Sequence, residues 1–298
     1  MSGAANPIHA ELIAVVVAVT DATPRVLTLL DGSALPAGPL ESAHRSLQAG
    51  LRDRVERQTG HPLGHVEQLY TFADAGRSRA GRSISISYLA LSSETRARLG
   101  GQVSWQDWYR YFPWEDRRTA NDALARIEPG LRSWAGTEPT RRARIARCFG
   151  LDGAPWQEDL ALDRYELLYE AGLVREAARD GRPAHGDFAP GATLAADHRR
   201  ILATAISRLR ARLRARPAVF ELMPERFSLL DLQRCIEAIG GQPLHKQNFR
   251  RLIESQNLLE ETGDFASGPG RPAKLFRFRS AIRDERAMTG SRPPLSRP

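Results

Sequence analysis

Lysine is nearly absent from this chain: 298 residues hold only Lys246 and Lys274, against 41 arginines. Cysteine is as scarce, and Cys148 and Cys235 lie far apart without metal-ligand spacing. That excludes a disulfide-stapled mini-protein and a cysteine zinc site, and it reads as two reduced thiols of a cytoplasmic protein. No apolar run approaches the roughly 18 residues a membrane helix needs. The opening MSGAANPIHAEL has no basic stretch before its apolar run, so neither a secretory leader nor a membrane partner is expected. What is present, 42% hydrophobic and 26% charged residues, is the composition of a globular protein. At roughly 150 residues per domain the length allows two.

The charge is unevenly placed. Residues 1–197 hold 23 Arg against 25 Asp and Glu, whereas residues 198–298 hold 18 Arg and 2 Lys against 10 acids. The whole basic excess therefore sits in the last third. A concentrated positive field attracts phosphate polyanions, whose condensed counterions are released on binding. An arginine-rich composition explains Arg over Lys but not this clustering.

Along the chain, residues 11–19 (ELIAVVVAV) form a β-branched run with the composition of a buried strand. A second strand is predicted at 25–30 and further strands at 65–72 and 82–91, the last two joined by the arginine-rich turn DAGRSRAGR. Between them, DGSALPAGP is a loop and 41–58 a helix, with Leu47, Leu51 and Val55 on one face and Thr59-Gly60 as its stop. WQDWYRYFPWED clusters Trp105, Trp108 and Trp114, and Leu160 to Ala178 is predicted as one helix. The stretch 180–192 is rich in glycine and proline and marks a boundary.

Beyond it, residues 197–215 predict a helix with an apolar stripe from Ile201 to Leu213 and an arginine-rich opposite face. Ser228 caps a helix through Ile239, with Asp231 placed for a capping box. GGQP is a turn, 244–256 a second helix, and two short strands follow around 257–261 and 273–279. Helix, glycine turn, helix and hairpin make a winged helix-turn-helix pattern. Lys246, Gln247 and Asn248 stand at the N-terminal part of the second helix, where base edges are read. Arg250 and Arg251 suit phosphates or the groove edge, and Arg271 and Lys274 on the wing suit phosphates or the minor groove.

The N-terminal order of strands, LPAGP loop, helix ending in TG and strand resembles a Nudix domain. Nudix hydrolases carry glutamates on this helix that hold a divalent metal. Anchored on Gly60 and Val55, the positions of those glutamates hold Arg45, Arg54, Arg57 and Gln58. A hard cation needs oxygen ligands, so no metal and no catalytic residue is expected here. A register shifted by one recovers Asp53 and Glu56, but sets Arg54 at an apolar position.

The two halves together resemble the Nudix-related transcriptional regulators of NAD metabolism, with the middle stretch similar to the NadQ-type "NAD regulator" branch. The resemblance is carried by LYTFADAGRSRAGRSISISYLAL and, most specifically, by FELMPERFSLLDLQRCIEAIGGQPLHKQNFRRLIESQNLLEETG with GRPAKLFRF. It implies a homodimeric repressor of NAD-biosynthesis genes, acting on a double-stranded DNA operator and responding to an adenine nucleotide effector (NAD, ATP or ADP-ribose).

The expected fold class is α+β: a Nudix-like α/β/α sandwich core (1–92), its helical extension and linker (93–190), a winged helix-turn-helix domain (191–285) and a disordered tail (286–298). For the effector, Arg77, Arg79 and Arg82 are the phosphate candidates, and Trp105, with Trp108, Tyr109 and Trp114, could stack a base. Two other readings are an active nucleotide pyrophosphatase using Asp53 and Glu56, and a winged helix used only for protein contact.

Overall fold

The computed structural model describes residues 8–74, 82–94, 102–215, 219–266 and 272–279. Arg77, Arg79, Arg271 and the tail 286–298 lie outside the described residues.

The β-branched run becomes β1 (His9–Thr20), buried without a break from Leu12 to Ala18. Side chains alternate across a strand, so β1 feeds two cores. Ile13, Val15 and Val17 enter one, while Leu12, Ala14, Val16 and Ala18 enter the other. The remaining strands are β2 (Thr23–Thr28), β3 (Ala37–Pro39), β4 (Val66–Phe72), β5 (Ser83–Leu91) and β6 (Ser104–Asp107). They assemble in the order β4–β5–β1–β2–β6, with β3 paired to the first half of β1. The β1–β5 pair is parallel, and the other pairs are antiparallel.

Helix α1 (Leu47–Thr59) closes the second core through Leu51 and Val55. It starts six residues later than the pattern predicts because Ser46 is its cap, accepting from Ala49 N at 3.2 Å. Gly60 ends it in the left-handed region at φ 68°.

The other sheet face carries the extension: α2 (Ala123–Ala135), α3 (Pro139–Phe149), α4 (Ala161–Glu170) and α5 (Arg175–Arg179). The single helix predicted for 160–178 is two. Gly172, at φ 70°, breaks it, and a Cβ there would stand 1.9 Å from the Pro183 carbonyl oxygen. Helix α6 (His198–Ala215) lies centrally, burying Ile201, Leu202, Ala205, Ile206 and Leu209. Its arginine face is not wholly solvated: Arg199 and Arg210 are buried against carboxylates.

The C-terminal module comprises β7 (Phe227–Ser228), α7 (Leu229–Gly240), α8 (Lys246–Gln256), β8 (Leu259–Ala266) and β9 (Ala273–Phe278). Its small antiparallel sheet runs β7–β9–β8. β8 extends past the predicted strand, with an irregularity between Glu261 and Phe265. One buried cluster continues from the sheet through the extension and α6 into α7 and α8. Among the described residues no helix is long and apolar enough to cross a membrane.

Candidate nucleic-acid interface

Local signals build the two helices of the interface. Ser228 Oγ accepts from Asp231 N, and Asp231 Oδ2 accepts from Ser228 N at 2.9 Å, closing the capping box that starts α7. Gly241, at φ 72°, ends α7. The turn to α8 is held by side chains: Glu237 accepts from Leu244 N at 2.8 Å, and Gln233 Nε2 donates to Leu244 O at 3.0 Å.

Helix α8 buries Phe249 and Ile253, four residues apart on one face. Lys246, Gln247, Asn248, Arg250 and Arg251 are all exposed. Arg251 donates to Asn248 Oδ1 at 2.7 Å. The side chains that can read bases and the cations that can neutralise phosphates therefore share one solvent-facing surface. On the wing, Lys274 spans both oxygens of Glu261 (2.9 and 3.0 Å) and Arg277 pairs with Glu260 at 2.6 Å. Exposed pairs of this kind are worth about 0–1 kcal/mol, so a phosphate can displace Glu261 at small cost.

The turn before α8 is anchored to the rest of the molecule. The Tyr109 hydroxyl donates to Ala238 O at 2.7 Å, Arg210 Nε to Ile239 O at 2.8 Å, and Arg117 N to Gly241 O at 2.7 Å. Below lies Glu115, fully buried, whose carboxylate is bonded by Arg164 (2.5 and 2.8 Å) and by Arg210. Burial is the largest influence and pushes the Glu115 carboxyl up, but Arg164 and Arg210 together hold it below its ordinary value. Burial raises the Tyr109 phenol, so that it stays a donor. The sequence reading did not identify this group. The available signal was slight: Glu115 directly follows Trp114 in an aromatic-rich run that also holds Asp107 and Asp116.

In the N-terminal half, Arg82 is exposed beside β5, and its carbonyl accepts from His9 N at 3.0 Å. Trp105 is 8% exposed and meets His61 edge to face, while Trp108, Tyr109 and Trp114 are buried in the large core. The structure thus does not gather the four aromatics around one open pocket. His61 is buried, its pKa lowered by that burial, and its Nε2 lies 2.9 Å from Ser92 Oγ. Both cysteines are free and buried; burial pushes Cys235 up to about 12.

Asp53 is paired with Arg57 at 2.5 Å, and Arg54 reaches Glu41 beside Gly38. Arg54 and Arg57, two positions at which the resemblance expects carboxylates, are thus each engaged with an acid. Among the described residues no group of three or more His, Cys, Asp or Glu could hold a metal ion.

Comparisons with known proteins agree with this geometry. Residues 219–278 match the family model of the NrtR DNA-binding winged helix domain. The ADPR-responsive transcriptional repressor NtrR of Acinetobacter baylyi is 39% identical over 85 residues, 28% of this chain. The matched stretch spans 34% of that relative's length. Among solved structures, Shewanella oneidensis NrtR complexed with a 27mer DNA is similar at a TM-score of 0.57 and 20% identity, covering 92% of this chain and 95% of that one. A MutT/nudix family protein from Enterococcus faecalis reaches 0.56 at 15% identity, covering 94% and 89%. At these identities the structural likenesses establish the fold: a Nudix-like α/β half followed by a winged helix.

Proposed function

We propose, starting from an NrtR-type winged helix joined to a Nudix-like half, that this protein is a sequence-specific DNA-binding repressor that responds to ADP-ribose. The observation that carries the reading is the exposed face of α8, where Lys246, Gln247, Asn248, Arg250 and Arg251 lie on the surface of the matched domain. Lys246, Gln247 and Asn248 read base edges; Arg250, Arg251 and the wing cations Arg271 and Lys274 hold the backbone. ADP-ribose is the effector of choice because the Acinetobacter relative carries that response in its name.

The Nudix-like half acts as a sensor and not as a hydrolase in this reading. Its α1 helix offers Arg54 and Arg57 in place of a metal cage. Two copies act on a palindromic operator, with half-sites about 34 Å apart in the usual geometry of such dimers. The regulated genes are those of NAD biosynthesis. Effector binding shifts the equilibrium between two placements of the winged helices, by typically about 1–3 kcal/mol of coupling.

The test is selection of duplexes from a random library with the full-length protein, followed by titration of ADP-ribose into the selected complex. The expected result is one preferred palindrome whose affinity falls with salt and changes with ADP-ribose. Equal affinity for all duplexes would overturn the regulator reading. Magnesium-dependent release of AMP from ADP-ribose would restore the pyrophosphatase.

A further inference from the structure

The turn that leads into α8 has little backbone bonding of its own. Among the described residues, 242–244 make no backbone–backbone hydrogen bond. Pro243 has no N–H to give. His245, the N-cap of α8, makes no side-chain cap bond either. What holds the turn is a pair of side chains four residues apart on α7, which share one helix face. Gln233 Nε2 donates to Leu244 O at 3.0 Å and to Glu237 Oε1 at 2.9 Å. The same Oε1 accepts from Leu244 N at 2.8 Å. Both backbone groups of Leu244 are thus engaged by one clasp, as a paired strand would engage them.

The two ends of the clasp differ in setting. Gln233 is buried and Glu237 half-buried, on a helix whose last turn is itself anchored through Ala238 O and Ile239 O. Leu244 is exposed, so side-chain packing does little to fix it. Lys246, Gln247 and Asn248 follow Leu244 within four residues, in the first turn of α8, and move with it. Hydrogen bonds to base edges are directional and weaken steeply when distance or angle is wrong. Attraction between a long cationic side chain and a phosphate is not directional in that way. A small displacement of the start of α8 therefore costs base reading before it costs attachment to the backbone.

We infer that Gln233 and Glu237 are positioning residues for base reading. Their shared hold on Leu244 sets where Lys246, Gln247 and Asn248 stand in the groove, and so sets sequence discrimination. Neither side chain touches a base; both act through Leu244. The inference rests on the reading of α8 as the DNA-facing helix. Loss of the clasp leaves the fold in place, because water can take over both bonds at the exposed turn. Water does not restore the position.

The experiment is fluorescence anisotropy with the full-length protein on its selected operator and on a random-sequence duplex, over a series of salt concentrations. Gln233→Met keeps the side-chain length and removes the donor. Glu237→Ala removes the acceptor, whereas Glu237→Gln keeps an accepting oxygen. Cys235→Ala trims the buried side of α7 without touching the clasp, and melting temperature is recorded for each. The expected result is that the ratio of operator to random-duplex affinity falls at least about fivefold in Gln233→Met and Glu237→Ala, the lower end of what one base contact discriminates. The salt slope stays parental, because the phosphate-facing cations are intact. Loss of the Glu237 charge acts on both duplexes alike and cancels in the ratio. Glu237→Gln keeps the parental ratio, and so does Cys235→Ala although it melts lower. Parental ratios in Gln233→Met and Glu237→Ala would overturn the positioning role and leave α8 as the reading helix. So would an equal fall in Cys235→Ala, or a Glu237→Gln ratio as low as that of Glu237→Ala. Equal affinity of the parent for all duplexes would overturn the DNA-reading proposal, and this inference with it.

Discussion

The Tyr109 hydroxyl donates to the Ala238 carbonyl at 2.7 Å across 129 residues of sequence. One partner follows β6 at the sheet edge; the other is in the last turn of α7, just before α8. The bond joins the sheet half to the winged-helix module, beside the ion group of Glu115, Arg164 and Arg210.

Tyr109→Phe keeps the ring packing and removes the donor. The buried Ala238 carbonyl then loses a partner, at a cost of about 1–2 kcal/mol. The expected result is a lower urea midpoint, near-parental ligand-free DNA affinity and a smaller ADP-ribose effect on DNA binding. An unchanged effector response would show that this contact only stabilises.

Glu115→Gln leaves Arg164 and Arg210 buried without their counter-charge. Removing one partner of such a group costs about 3–5 kcal/mol. The pH dependence has a defined sign. The folded Glu115 carboxyl sits below its ordinary value of 4.5, so its stabilisation is fully present above that pH and is lost as pH falls through the depressed folded value. Urea melts between pH 7 and pH 3 should show a steeper acid loss in the parent than in Glu115→Gln.

Gly241→Ala meets two obstacles. The residue is left-handed at φ 72°, and its new Cβ would lie 2.2 Å from the Glu115 carbonyl oxygen. Backbone strain alone costs about 1 kcal/mol or more, and the overlap adds to it by pushing the α8 turn outward. The expected result is a lower melting temperature together with weaker operator binding.

Substitutions on α8 should separate reading from holding. Gln247→Ala is expected to relax preference at one base pair, by about 1–3 kcal/mol of discrimination. Arg250→Ala is expected to weaken all duplexes evenly and to reduce the salt slope by about one. Fluorescence anisotropy on single-base operator variants at several salt concentrations distinguishes the two.

The sequence alone determined whatever depends on neighbours a few residues apart. The β1 run, the Leu51–Val55 face of α1, the Ser228–Asp231 capping box and the exposed polar face of α8 all follow from local spacing and charge. So does the split of charge that set the basic winged-helix module in the last third. Family likeness in the same stretch pointed the same way.

Only tertiary structure decided the rest. Nothing local tells Arg199 and Arg210 from the other arginines of α6; they are buried because Glu176 and Glu115, distant in sequence, come to meet them. The break at Gly172 follows from the approach of the Pro183 carbonyl, and Trp108 and Trp114 became core because the extension folded over that sheet face. Each of these depends on which groups the fold brings together and which it takes out of water, and local spacing carries no record of either.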